Sequence, residues 1–304
     1  MAENTDKQSF DFKDTEWYLF PLPERNQIVG DLNANADKII QLSREVGVNV
    51  GTTTTFGRSY DILETSLPYI RRNFQAPNIK VLDIGPGMGF SSIVEACHHH
   101  KVEVSNHNLD RQYSSEPFEL EVALQKAGFT GTKLIAFDID PLVLAIIDTQ
   151  RELVVERFDP NQASYYQQFL ERVDPNAEEI LGDEIKAVNE RNKKYPEEHY
   201  KEAHLVELPQ SIRKAISTEQ GDIANLNKQS GEYDLIYYMA VDIYVENKEE
   251  TLMNIAGKVK NVGLIITSEI KDPSNYGLEE VTRVDFKKPR VCYKRIIKVA
   301  KIAS

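Results

Sequence analysis

Cysteine is scarce in this sequence: Cys97 and Cys292 are the only two among 304 residues, and they lie far apart. That excludes the disulfide framework that staples small secreted domains. Basic residues are outnumbered as well, 36 Lys and Arg against 48 Asp and Glu, for a formal net charge of −12. Gripping nucleic acid needs a basic face, so nucleic acid is not an expected partner. No window has the apolar length that a membrane helix requires, and Met1 to Thr15 lacks the apolar stretch of a signal peptide. A reducing, cytoplasmic setting is therefore the expectation. No internal repeat or low-complexity tract interrupts the chain, and no Ser/His/Asp set near Cys292 suggests hydrolysis.

What is present is an ordinary globular mixture, 41% apolar and 28% charged, long enough for one large α/β domain with an appended helical piece. Residues 1–15 read as a leader. From Trp17 to about Val46 the apolar positions Ile28, Val29, Leu32, Ile39, Ile40 and Leu42 recur at near-helical spacing. Gly51 and Thr52 to Thr55 break the pattern. Ser59 can then cap a second helix with Ile62, Leu63, Leu67 and Ile70 on one face. Residues 1–75 thus form an expected leader and helical cap.

Over 76–304 short apolar strands alternate with helical stretches, which implies a mostly parallel, Rossmann-like α/β sheet with helices on both faces. Expected strands are Lys80–Ile84, Lys133–Phe137, Glu219–Ile223, Tyr233–Tyr238 and Val262–Ser268. Val281–Val284 and Val291–Val299 read as a closing antiparallel hairpin around Lys287-Lys288-Pro289. Two insertions are expected, at about 91–115 and 156–215, the second charged, rich in Tyr and Glu, and largely helical.

The strongest local signal is the strand Lys80–Ile84 running straight into Gly85-Pro86-Gly87-Met88-Gly89. A glycine-rich turn after a strand lets a ligand approach the backbone closely. A dinucleotide fingerprint would read G-x-G-x-x-G and present a helix N-terminus to a pyrophosphate. Here Asp83, Gly85, Gly87 and Gly89 spell D-x-G-x-G-x-G, which resembles the first motif of class I S-adenosylmethionine-dependent methyltransferases. In that family the acid and the loop meet the cationic methionine end of the cofactor. A carboxylate ending the next strand can accept both ribose hydroxyls, and Asp138 in F-D-I-D-P stands there. It follows Asp83 by 55 residues rather than the ~20 of a simple βαβ unit, so an insertion must intervene. Asp140 is the better helix cap, which leaves Asp138 for the ligand. Asp222 and Ile223, at a later strand end, can take the adenine amino group and its ring. S-adenosyl-L-methionine is the expected cofactor and S-adenosylhomocysteine its product.

From about 50 to 270 the chain is also similar, distantly, to the CheR-type chemotaxis-receptor glutamate methyltransferases. T-T-F-G-R at Thr54–Arg58 resembles that family's T-x-F-F-R. Ser114–Phe129 resembles its G-E-E-P-Y-S helix, and Ser211–Ile223 its segment ending in H-N-L. Tyr233–Val245 is similar to F-D-L-I-F-C-R-N-V-L-I-Y-F. The resemblance implies that Thr54 and Glu116 contact the cofactor, that Arg58 lies near the transferred methyl group, and that Tyr244 orients the acceptor. It departs from the family pattern at Met239-Ala240, where the family has Arg-Asn, at Gly57 for an aromatic, and at Asp222 for an asparagine. The family's small β-subdomain, which helps bind receptors, would fall within 156–210, a stretch that reads helical here.

The implied activity is methyl transfer, either to a protein carboxylate or to a small molecule at oxygen or nitrogen. A carboxylate acceptor needs no general base, only its charge held near the sulfur, by Arg58 bidentately and by Tyr244. An amine or hydroxyl would use a base, and Asp242 is the candidate. Cys97-His98-His99-His100, with His107 nearby, invites a metal reading. Consecutive ligands cannot all face one ion, so the cluster reads as a solvated helix end and no metal is expected.

Overall fold

The computed structural model describes residues 53–54, 60–89, 114–150, 152–156, 203–228, 231–239, 241, 245–285 and 289–296. The leader, the helical pattern of 17–46, Arg58, the Cys97–His100 cluster with His107, Asp242 and Tyr244 lie outside them.

Seven strands form the sheet: β1 Lys80–Ile84, β2 Lys133–Asp138, β3 Ile216–Gln220, β4 Tyr233–Tyr238, β5 Val259–Ser268, β6 Leu278–Val284 and β7 Arg290–Arg295. Their spatial order is β6-β7-β5-β4-β1-β2-β3. Strands β3, β2, β1, β4 and β5 are parallel neighbours, while β7 runs antiparallel between β5 and β6. The closing hairpin expected at the C-terminal end is β6 and β7. The fold is a Rossmann-like α/β sheet.

The chain fills one side of β1 with β2 and β3, then crosses to the other side with β4 and β5. This reversal puts a topological switch point at the carboxyl ends of β1 and β4, the place where open α/β sheets take their ligands.

Side-chain alternation sorts the two faces. Leu82 and Ile84 on β1, Phe137 on β2, Ile236 and Tyr238 on β4 and Ile265 on β5 join one core, covered by helix α5, Lys248–Lys258, through Ile255 and Ala256. Val81 and Asp83 point to the other face, beside Leu134 and Ala136 in register on β2. There α1, Tyr60–Asn73, packs over β5, β6 and β7, burying Ile62, Leu63, Leu67 and Ile70. Helix α2, Glu116–Lys126, lies beside α1 and against β2 and β3. Every residue of α2 from Glu116 to Leu124 is buried. A helix buried all round normally carries apolar residues; this one carries Glu116, Glu119 and Glu121.

Two further helices, α3 (Pro141–Thr149) and α4 (Gln210–Ala215), flank the second insertion. Between them Glu152–Glu156 and Ala203–Glu207 pair as antiparallel strands. Within the expected insertion of about 156–215 the described residues are therefore part strand, Ala203–Glu207, and part helix, Gln210–Ala215. Residues 157–202 lie outside the described set. Among the described residues no helix is long and apolar enough to cross a membrane.

Candidate functional site

The turn after β1 is built by its glycines. Gly85 and Gly87 both take left-handed backbone angles, φ 68° and 65°, which a side chain disfavours. The Gly85 N–H donates to the Phe137 carbonyl at 2.8 Å, tying the turn to β2. A Cβ on Gly85 would lie 2.4 Å from Cγ2 of Val241. Val241, in the segment after β4, thus closes on the bare Cα of the turn. Sequence reading assigned Val241 no role; only its place in the Met239–Tyr244 stretch after a strand hinted at one.

Gly89 pairs with Thr54 in a short parallel bridge, Thr53 opposite Met88 and Thr54 opposite Gly89. The threonine segment, distant in sequence, is therefore brought to the glycine turn.

The chain leaves this turn at Gly89 and is next described at Ser114, whose hydroxyl donates to the Gly87 carbonyl at 2.8 Å. The two ends of segment 90–113 meet there, so the first insertion leaves the β1–α2 geometry intact and accounts for the wide spacing of Asp83 and Asp138. Ser114 also donates its backbone N–H to Gln150 Oε1 at 2.8 Å. The stem strand Glu152–Glu156 begins two residues after Gln150. One hydrogen-bonded node, Gly87–Ser114–Gln150, anchors both insertions. Neither Ser114 nor Gln150 was assigned a function from the sequence, and no local motif marks them.

Asp83 is fully buried, and neither carboxyl oxygen accepts from an N–H or O–H donor. Glu116, on the first turn of α2, is among the acids that act on it. Burial, aided by the charges of Asp138 and Glu119, pushes the Asp83 carboxyl well above the usual carboxylate range, while the bond to Glu116 pulls the other way. Glu116 sits in the first turn of α2, where the helix dipole favours a carboxylate. Glu121, fully buried on α2 with Gln125 donating to it at 2.8 Å, is pushed up to about 8 by burial.

Asp138 ends β2. Burial pushes its carboxyl up to about 7, although the N–H groups of Asp140, Ile139 and Gly87 all act to hold the charge. The Asp140 N–H donates to Asp138 Oδ1 at 2.8 Å. Asp138 is thus not left idle by Asp140: it closes its own turn and also meets the glycine loop. The Gly221 N–H donates to the Asp138 carbonyl at 2.9 Å, drawing the end of β3 alongside.

Asp222 lies just beyond and is exposed. Its Oδ1 accepts from the Ala224 N–H at 2.8 Å and its Oδ2 from Asn225 Nδ2 at 3.3 Å. It caps the short 3₁₀ helix Ile223–Lys228, and Ile223 packs against the core of the α5 face. The structure therefore gathers Asp83, Gly85, Gly87, Gly89, Glu116 and Asp138 around one turn, with Thr54 bridged to it and Asp222 and Ile223 following from β3.

The chemistry of this gathering is selective. Among the described residues, the side chains acting on Asp83 are Asp138, Glu116 and Glu119, all of them acids. A pyrophosphate would be repelled, whereas a ligand presenting positive charge would complete the site. Among the described residues no group of His, Cys, Asp and Glu could hold a metal ion.

No family model matches the sequence and no curated protein matches it. Among solved structures, the chain is similar to magnesium protoporphyrin IX methyltransferase (ChlM) from Synechocystis PCC 6803 with bound SAM. The identity is 11%, covering 90% of this chain and 97% of that one, with a TM-score of 0.34. It is similar to the N-methyltransferase NodS from Bradyrhizobium japonicum WM9 at 11% identity, over 79% of this chain and 99% of that one, with a TM-score of 0.31. A third, the precorrin-6y C5,15-methyltransferase from Geobacter metallireducens GS-15, shares 8% identity over 81% of this chain and 94% of that one, with a TM-score of 0.37.

Proposed function

We propose that this chain is an S-adenosyl-L-methionine-dependent methyltransferase. The observation that carries the reading is the charge of the glycine turn. A left-handed Gly85–Gly87 turn at the switch point, which in a dinucleotide fold would cradle phosphate, is here lined by the donor-less carboxyl of Asp83 beside Glu116. Such a turn suits a ligand whose backbone-contacting end is cationic, as the methionine end of this cofactor is.

The residues fit the group. Asp83 and Glu116 would face its cationic end, and Gly85 and Gly87 would let it lie against the backbone. Asp138 would accept from the ribose hydroxyls, while Asp222 and Ile223 would flank the adenine. Bound there, the cofactor supplies a sulfonium methyl group, an electrophile with a good leaving group. The protein's own task is to exclude water and to align the acceptor in line with the breaking bond. Thr54 would cover the cofactor, and Arg58 and Tyr244 would hold the acceptor.

As acceptor we favour a protein carboxylate of the glutamate type, with S-adenosylhomocysteine as the second product. Three features support this: the T-T-F-G-R resemblance, the bridge that brings Thr54 to Gly89, and the strand pair Glu152–Glu156 with Ala203–Glu207. The pair stands where the resembled family carries its receptor-binding β-subdomain. The departure at Met239-Ala240 favours a small-molecule O- or N-acceptor instead.

Titration calorimetry with S-adenosylhomocysteine tests the cofactor; saturable one-site binding is expected, and no binding overturns the reading. Base treatment of methylated product separates the acceptors. Volatile methanol marks a carboxyl ester, while ethers and N-methyl groups release none.

A further inference from the structure

We infer that Gln150 and Ser115 form a carboxylate-binding subsite beside the glycine turn, so that this end of the site takes a zwitterionic α-amino-acid group rather than a simple cation. This rests on the cofactor reading above and deepens it. It names two residues, outside every glycine or acid motif, that hold the carboxylate of the methionine arm.

Hydrogen-bond satisfaction singles the two residues out. A polar group buried without a partner costs stability, so each one in a folded protein calls for an explanation. Gln150 follows α3 and is 7% exposed; Ser115 precedes α2 and is 1% exposed. Neither Gln150 Nε2 nor Ser115 Oγ has a hydrogen-bond partner among the described residues. A serine at this position ordinarily caps its helix. Ser115 makes no such bond.

Their placement follows from bonds that are made. The Ser114 N–H donates to Gln150 Oε1 at 2.8 Å. A backbone N–H can pair only with the oxygen of an amide, which settles the orientation of the group and leaves its NH₂ as the free end. The Gln150 backbone N–H donates to the Ile146 carbonyl at 2.9 Å, which fixes the residue at the end of α3. Ser114 Oγ in turn donates to the Gly87 carbonyl at 2.8 Å. Both free groups therefore adjoin the residue that is tied to the turn, Gln150 through a hydrogen bond and Ser115 through the chain.

The two groups are also of one kind. An amide NH₂ only donates, and an unpartnered hydroxyl has a proton to give. Two donors without acceptors match the two oxygens of a carboxylate. The same turn carries the opposite deficit at Asp83, whose carboxyl oxygens have no donor. An α-amino-acid end bears an ammonium and a carboxylate on one carbon and meets both needs together. Inorganic phosphate offers acceptors alone, next to a buried acid, and a simple amine leaves the two donors unpaired.

The experiment is titration calorimetry on the full chain at neutral pH. Two probes are compared: S-adenosylhomocysteine and 5′-(3-aminopropylthio)-5′-deoxyadenosine, which keeps the ammonium and lacks only the carboxylate. Wild type is expected to prefer S-adenosylhomocysteine by about a hundredfold, the scale of two hydrogen bonds to a charged group. Ser115→Ala removes a hydroxyl that makes no bond within the protein, and Gln150→Met removes the amide. Each should narrow the preference by about tenfold. Loss of the Ser114 anchor alone would weaken both ligands alike, so the ratio of the two affinities reads the subsite and not the scaffold. If Gln150→Met fails to fold, Ser115→Ala still decides.

Equal affinity of wild type for the two ligands, or an undiminished ratio in either folded variant, would overturn the subsite while leaving the cofactor reading standing. Failure of S-adenosylhomocysteine to bind at all would overturn both.

Discussion

The two ends of the parallel sheet treat charge in opposite ways. At the amino end, Asp234 on β4 is fully engaged. It accepts the backbone N–H of Lys80 at 2.8 Å and the Lys260 ammonium at 2.8 and 2.9 Å, stapling β1, β4 and β5 together. The Lys80 ammonium in turn lies 4.4 Å from the centre of the Tyr233 ring. At the carboxyl end, Asp83 is buried without a donor, beside Glu116, Glu119 and Asp138. The amino end spends its charges on holding strands in register. The carboxyl end buries Asp83 with no hydrogen-bond donor to its carboxyl, and it lies at the switch point where ligands enter such sheets. Substitutions at the two ends should therefore have opposite signatures.

The largest effect is expected at Gly85. Gly85→Ala forces a side chain into a left-handed backbone and against Val241 Cγ2. Ligand binding should be abolished, and thermal stability should drop by about 1–3 kcal/mol. Adding Val241→Ala should return part of the stability, because it removes the contact but not the backbone strain; a calorimetric melt of both variants reads the difference.

Next comes Asp138→Ala, which deletes the proposed ribose acceptor. Two charge-assisted hydrogen bonds at roughly 1.5–3 kcal/mol each imply a tenfold or much greater loss of S-adenosylhomocysteine affinity, read by titration. Affinity unchanged in a folded variant would remove Asp138 from the site.

Asp234→Ala should do the reverse. It strands the Lys80 N–H and the Lys260 ammonium, so denaturant melts should show a loss of about 1–2 kcal/mol, with ligand affinity unaltered. A loss of affinity without a loss of stability would erase the distinction between the two ends.

The smallest effect belongs to Val262, an exposed β-branched residue at φ 62° in the irregular early part of β5. Val262→Gly should raise stability by about 0.5 kcal/mol, since relief of the left-handed penalty slightly exceeds the added chain entropy. A melting temperature at or below wild type would deny that strain.

Much of this comparison was legible in the sequence, and the reason is local. K-V-L-D-I followed by glycines must be a buried strand ending in a tight turn. F-D-I-D-P must end a strand and start a helix, and V-C-Y-K with its apolar flanks must be the last strand. What local pattern does not reach is the side built by distant contact. E-P-F-E-L-E carries three acids, yet α2 is buried from Glu116 to Leu124, and Ser114 at its start returns to Gly87 across an insertion. Residues 152–156 and 203–207 pair across a gap that no local pattern spans. Asp222, the expected acceptor for the adenine amino group, also accepts from the Ala224 N–H and from Asn225 Nδ2 at the start of the 3₁₀ helix that follows. Short-range chemistry marks the glycine turn and Asp138 as candidates; which acids stand around them depends on which helix folds back over the turn.

The most direct test of the buried acid at the carboxyl end is one substitution read in two ways. Asp83→Asn replaces a carboxyl that burial pushes well above the usual carboxylate range with a neutral group of the same shape. Groups raised in the folded state, Asp83 with Asp138 at about 7 and Glu121 at about 8, bind more protons folded than unfolded. Stability of the empty wild type should therefore fall as pH rises from about 4 to 8. A melt across that range, with and without S-adenosylmethionine, is the measurement. The account predicts that empty Asp83→Asn melts higher than wild type at pH 7.5 and loses part of the pH slope, while its affinity for S-adenosylmethionine drops tenfold or more. A variant that is less stable when empty, or that binds the cofactor as tightly as wild type, would contradict it.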